Sequence, residues 1–290
     1  HIYIHYKMDS GFKRPAQVGF QNINGKCWAI SLVQAIYACK PLLRKILTVE
    51  CPNRLVIELK KALVLLKDKN KVLIEGYDYD GGAISVEEIK LLYNEVFDAT
   101  GTDRVSSLGE VTKFLTALNK IYNGCGFSNS FFNYFKMFYP FVYIESQKKS
   151  EEIDINVFIK DQQVDIRSHL SDNPEFIIFG CLFGRTRITR QISIGPYQFQ
   201  ICAIIFATGG HFYTITNDGR YDDITVSVGQ QYMNNFIQHG YHERGDGKQN
   251  NGHLFFFERI GGQPSAAASP GLPPPPPQQQ YYPPPPPQQQ

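Results

Sequence analysis

Residues 22–44, NINGKCWAISLVQAIYACKPLLR, set a cysteine between a Gly-containing turn (Asn24-Gly25-Lys26) and an apolar run with helical spacing. Trp28, Leu32, Ala35, Ile36 and Cys39 recur at three- and four-residue intervals, so one face of a helix is built for a core. Cys27 falls in the first turn of that helix. There it meets unpaired backbone N–H groups and the positive end of the macrodipole, both of which favour thiolate over thiol. A buried structural cysteine is the competing reading, because free cysteine is among the most buried residue types.

Of the 290 residues, those up to about position 262 have globular composition, long enough for a substantial core. The net charge of +2, from 29 bases and 27 acids, offers no electrostatic case for nucleic acid or an anionic membrane. No apolar run approaches bilayer length. The six cysteines (27, 39, 51, 125, 181, 202) form no Cys-x-x-Cys pair. This removes a zinc ribbon, argues against a disulfide framework and fits a reducing compartment, cytoplasmic or nuclear. No secretory signal is visible, no metal is expected, and no cofactor is implied. A chain that starts at His1 is expected to be a fragment, a processed product or a segment of something longer.

Downstream of Pro41, expected as the exit of the first helix, residues 55–66 (LVIELKKALVLL) read as an amphipathic helix that ends in the charged turn Lys67-Asp68-Lys69. Residues 77–82, YDYDGG, have the look of a calcium loop, but Ile89 occupies the position of the bidentate Glu, so a solvated turn suffices. Ser85 with Glu88 makes a capping box for the next helix, and residues 109–123 form another. The aromatic-dense stretch 124–143 is expected to be core. From there, short β-branched and aromatic runs at 155–159, 176–183, 188–194, 197–207, 212–216 and 254–259 read as strands. Helices first and strands second predict an α+β fold. The alternating basic run 185–190 reads as a charge-protected solvated edge.

Residues 197–216, YQFQICAIIFATGGHFYTIT, run from a long apolar strand through Gly209-Gly210 to His211. Two residues without Cβ let backbone and substrate approach closely. The turn Asn217-Asp218-Gly219 then returns the chain toward the level of His211, where an acid of Tyr221-Asp222-Asp223 can hydrogen-bond the imidazole. Beyond Gly262 the composition breaks: twelve of the 18 prolines lie there, and PPPPPQQQ occurs twice around Tyr281-Tyr282. Such a tail is expected to be polyproline II or disordered and to recruit a partner with an aromatic groove, of the SH3 or WW kind.

Three stretches together resemble the ubiquitin-specific proteases. Gly19-Phe20-Gln21-Asn22, Cys27-Trp28, Ser31-Leu32-Val33-Gln34 and Pro41-Leu42-Leu43-Arg44 are similar to that family's cysteine box. Asn24 stands where the family usually has Gly, and Lys26 where it has Thr or Asn. Gly210-His211-Phe212 and Tyr221-Asp222-Asp223 with Val226 are similar to its histidine box, and residues 254–259 (LFFFER) resemble its closing strand. The resemblance spans roughly residues 16–260 and lacks zinc-bearing fingers. It implies a papain-like architecture, with a helical thumb and an antiparallel palm, over residues 16–262, between an extension at 1–15 and the tail at 263–290.

The implied activity is a deubiquitinating thiol protease that cleaves after the Gly-Gly terminus of ubiquitin or a ubiquitin-like protein. Cys27 would be nucleophile, His211 general base and acid, and Asp222 the orienting acid, with Asp223 as its alternative. Asn22 would donate to the oxyanion. Gly209, Gly210, Phe212 and Trp28 would line the channel for the substrate terminus. An inert ubiquitin-binding module and a papain-like polyprotein protease are the other readings. Glu258-Arg259-Ile260-Gly261-Gly262 further suggests self-cleavage after Gly262.

Overall fold

The computed structural model describes residues 18–22, 25–74, 83–101, 111–127, 131–134, 136, 139–144, 152–181, 185–208, 210–243, 249–250 and 252–261. Residues 77–82, Gly209 and the tail from 262 onward, singled out above, lie outside them. The helices are α1 (Cys27–Ala38), α2 (Lys40–Thr48), α3 (Arg54–Ile74), α4 (Val86–Thr100), α5 (Val111–Gly124), α6 (Ile155–Ser168) and α7 (Gln231–His239). The strands are β1 (Val142–Ile144), β2 (Glu152–Asp154), β3 (Phe176–Cys181), β4 (Arg185–Arg187), β5 (Gln191–Ile194), β6 (Tyr197–Thr208) and β7 (His211–Thr216). They continue with β8 (Gly219–Asp222), β9 (Thr225–Val228), β10 (His242–Glu243), β11 (Gln249–Asn250) and β12 (Gly252–Gly261). The fold is α+β, with a mostly antiparallel sheet.

Eight strands form the main sheet, in the order β1-β3-β12-β6-β7-β8-β9 with β5 also on β6; β1 and β3 are its parallel pair. Side chains alternate across a strand, and here both faces are covered. Phe176, Ile178, Ala203, Ile205, Leu254 and Phe256 join the core under α1–α5. Their neighbours Ile177, Phe179, Ile204, Phe206, Phe255 and Phe257 face the opposite way, toward α6 and α7. This double burial explains why the central strands read as continuous apolar runs rather than alternating ones.

Several expected elements differ. Residues 155–159, expected as a strand, open α6 instead, because the Asp154 carboxylate accepts the N–H groups of Asn156 (2.8 Å) and Val157 (3.4 Å) and so caps a helix. Helix α3 continues through Lys67-Asp68-Lys69 to Ile74, with Lys67 and Asp68 exposed and Lys69 paired to Glu88 at 2.9 Å. Pro41 begins α2 rather than ending α1, since a missing N–H costs nothing in a first turn. The capping box of α4 is as expected, with the Ser85 and Glu88 hydrogen bonds both present. The first half of the basic run, 185–187, is the edge strand β4 of a two-stranded sheet, parallel to β2, with Arg187 meeting Glu152 at 2.6 Å.

The cysteine reading also needs correction. Cys51, ahead of α3, and Cys125, after α5, form a disulfide across 74 residues, although their spacing suggested no framework. Sequence distance hid a contact that arises because α3 and α5 both pack against α1 and α4. Arg259–Gly261 belong to β12, with Gly261 paired to Gln198. Cleavage after Gly262 would therefore require the end of that strand to leave the sheet. Among the described residues no helix is long and apolar enough to cross a membrane.

Candidate active site

Helix α1 packs along β7, and the repeats of the two elements run in step. Four residues of helix rise about 6 Å and two residues of strand about 6.8 Å. Two polar contacts use that match. The Phe212 N–H donates to Cys27 Sγ (3.4 Å), and the Thr214 hydroxyl donates to the Ser31 carbonyl (2.8 Å), both buried. The sulfur at the mouth of α1 is thereby held at the start of β7, beside His211. Lys26, the residue before the helix, makes no side-chain cap there.

His211 lies between two partners. Its Nε2 is 2.5 Å from Asp222 Oδ1, and Cys27 is near enough to act on its titration. With Nε2 committed to the carboxylate, Nδ1 is the nitrogen left for the sulfur. The imidazole pKa is pushed up to about 10, by the Asp222 hydrogen bond first and Cys27 second, with burial opposing and the two negative charges adding. Asp222 is held on its other oxygen by Arg220 at 2.5 Å. Burial pushes the Asp222 carboxyl up, but His211 and then Arg220 more than offset this, and the net shift is downward. The Arg220 guanidinium in turn stacks 4.8 Å over the Tyr213 ring.

Asn22 is fixed from the opposite side. Its Oδ1 accepts the Lys26 N–H (2.9 Å), and its Nδ2 donates to Asp223 Oδ2 (2.9 Å). Asp223 sits in the tight β8–β9 turn at φ +53°, a left-handed conformation that Asp tolerates better than most residues. Its carbonyl accepts the Phe20 N–H (3.1 Å), and the 19–21 segment also pairs with Ile84. Gly19 is required at this crossing: a Cβ there would meet the Asp223 carbonyl oxygen at 2.4 Å. Burial raises the Asp223 carboxyl, against the Asn22 hydrogen bond.

Cys27, His211, Asp222, Asn22 and Asp223 thus come together, with Asp222 on the imidazole and Asp223 on the amide. Gly210 (φ +89°) is exposed at the entrance to β7. Two expected channel residues do not line a channel. Trp28 is 1% exposed and packs edge-on against Phe97 and Phe114, because the same helix face that carries it carries the core. The Phe212 ring is likewise buried, against His253, and the residue meets the site through its backbone N–H.

Sequence reasoning missed three neighbours. Arg220 had a usable signal, being two positions before Asp222 on one strand and therefore on the same face. Tyr93, from α4, reaches the Gln21 carbonyl at 3.4 Å; burial first, then the nearby Asp223 and Cys27 charges, raise its phenol pKa. Burial lowers the His253 pKa to about 4, against a hydrogen bond to the Cys181 backbone, so this imidazole stays neutral beside Phe212. Only folding brings those two in.

One ligand atom each from His211, Asp222 and Asp223 lie within 4.8 Å of one another, the spacing of a possible cation site. A cation there would have to break the His211–Asp222 and Asp222–Arg220 contacts, which already use Nε2 and both Asp222 oxygens. A proton-handling arrangement fits these groups better.

No family model matches the chain, and no curated protein matches it. Among solved structures it is similar to one described as an essential yeast splicing factor. That likeness covers 85% of this chain and 70% of that one, at a TM-score of 0.53 and 11% identity. It is a likeness of fold alone.

Proposed function

We propose that this chain is a papain-like thiol hydrolase that cleaves the peptide or isopeptide bond after the Gly-Gly terminus of ubiquitin or a ubiquitin-like protein. The observation that carries the reading is the convergence of Cys27, His211 and Asp222 from three separate elements, with His211 hydrogen-bonded to Asp222 and Cys27 Sγ held by the N–H of the next residue, Phe212. Cys27 Sγ, its proton already passed to His211 Nδ1, attacks the carbonyl carbon while Asp222 holds the imidazolium through Nε2. The Asn22 amide, with one N–H not used by Asp223, and the Cys27 backbone N–H stabilise the oxyanion. His211 returns the proton to the leaving amine. Water, activated by the same ring, then hydrolyses the thioester to the free carboxylate and regenerates the thiol. The Gly-Gly specificity rests on the resemblance described above, and a cytoplasmic or nuclear setting on the scattered cysteines without a Cys-x-x-Cys pair. The Cys51–Cys125 disulfide is the feature that stands against a reducing compartment.

A second reading, a ubiquitin-binding module without catalysis, is favoured by one observation: Cys27 is only 2% exposed. A ubiquitin probe with an electrophilic C-terminus separates the readings. Labelling of the wild type and not of Cys27→Ala is the expected result; binding of the probe to both with labelling of neither would establish the module.

A further inference from the structure

Tyr139 and Tyr143 form an aromatic ridge on the surface, 46% and 37% exposed, with ring centroids 6.3 Å apart and planes within 21°. A groove runs along each side of it, with buried Phe141 forming part of both floors. The larger, about 660 Å³, lies against α5 and is walled by Thr112, Lys113, Thr116 and Lys120. The smaller, about 420 Å³, lies against α6 and is walled by Lys136, Gln162 and Asp165. Parallel rings flanked by grooves are the surface that proline-rich segments dock against. The α5 wall is rich in hydrogen-bond donors, the Lys113 and Lys120 ammonium groups and the threonine hydroxyls, while on the α6 wall Lys136 is paired with Asp165 at 2.6 Å. A polyproline helix has the complementary character, since proline carries no N–H and leaves its carbonyls open as acceptors.

We propose that the occupant is this chain's own tail, with Pro273–Pro277 seated across the Tyr139–Tyr143 ridge. The register fixes the distance to be spanned. Tyr143 pairs with Gly180, which pairs with Leu254 on β12, two strands away. Gly261 lies seven residues further along β12, which puts it about 26 Å from Tyr143 at ordinary strand spacing and rise. Residues 262–272, eleven in number, reach up to about 36 Å when extended. The first proline block therefore arrives at the ridge with slack to spare. Residues 262–290 contain no Asp, Glu, Lys or Arg, so no charge opposes the lysine-lined wall. A tether this short holds the block at an effective concentration on the order of millimolar, which favours docking within one chain over docking between chains.

The test is amide NMR on the full chain. The N–H groups of Gln278–Tyr282, between the two proline blocks, are expected to give positive heteronuclear NOEs. In Tyr139→Ala/Tyr143→Ala those values fall to those of a free peptide of residues 273–290. Replacing the ten prolines of the two blocks by serine leaves the folded body untouched and is expected to shift the amides of Thr116, Tyr139 and Tyr143. Free-peptide NOEs in the wild type, or groove amides unmoved by the serine variant, would overturn the proposal. Rigidity that grows with protein concentration would overturn it too, by assigning the ridge to the tail of a second copy.

Discussion

The Phe212 amide nitrogen lies 3.4 Å from the sulfur of Cys27, a residue 185 positions earlier in the chain. That bond ties the mouth of α1 to the start of β7 and sets the sulfur beside the His211 ring.

His211 should give the molecule a particular pH signature. Its folded pKa, about 10, lies above the ordinary 6.5, so its stabilisation is fully present below pH 6.5 and is lost as pH rises toward 10. The difference in thermal midpoint between wild type and His211→Gln should therefore be constant below about 6.5 and close on the alkaline side. A difference that widens with rising pH would contradict the imidazolium. Turnover, if the proposed chemistry holds, should fall along the same alkaline limb as the leaving amine loses its proton donor.

Arg220 positions Asp222 rather than touching substrate. Removing its charge-assisted bond, as in Arg220→Met, should raise the Asp222 pKa and let the imidazole swing. Such bonds are worth about 1.5–3 kcal/mol, or roughly ten- to a hundredfold in kcat. On ubiquitin fused at its C-terminus to a fluorophore, kcat should drop while KM holds, the acid limb should move upward, and Arg220→Lys should recover part of the loss. An unchanged pH profile would leave Arg220 a merely structural residue.

Gly19→Ala places a methyl where the Asp223 carbonyl oxygen stands 2.4 Å away. Backbone must shift, at about 1–3 kcal/mol by analogy with overpacked sites. Because Asn22 hangs on the same Asp223, hydrolysis should fall more than stability does. Urea midpoints and turnover measured on one preparation would separate the two effects, and a fully active, equally stable variant would refute the crossing.

Reducing the Cys51–Cys125 disulfide reopens a 74-residue separation in the unfolded chain. The chain-entropy account gives an upper value of about 4 kcal/mol for a loop of that length. The guanidinium midpoint should drop in the presence of dithiothreitol, and Cys51→Ser/Cys125→Ser should show the lower value with or without reductant. The same midpoint for the wild type under both conditions would mean that the bond contributes nothing.

What could be read directly from residues was local. The apolar period of α1, the capping box of α4, the β-branched runs of β3, β6 and β7 and the order of the motif-bearing segments all follow from patterns within a few residues of each other. So does the candidacy of Cys27 and His211. Tertiary structure decided the rest, because each remaining feature depends on which face meets which. Trp28 lies on the core face by its spacing and in a channel by the resemblance, and folding settles it in the core against Phe97 and Phe114. Asp222 and Asp223 are adjacent and chemically identical, and the sharp β8–β9 turn alone sends one to the imidazole and the other to Asn22. The Cys51–Cys125 bond, the Arg220 clamp and the groove-flanked tyrosine ridge arise where distant segments pack, and sequence proximity carries no information about such contacts.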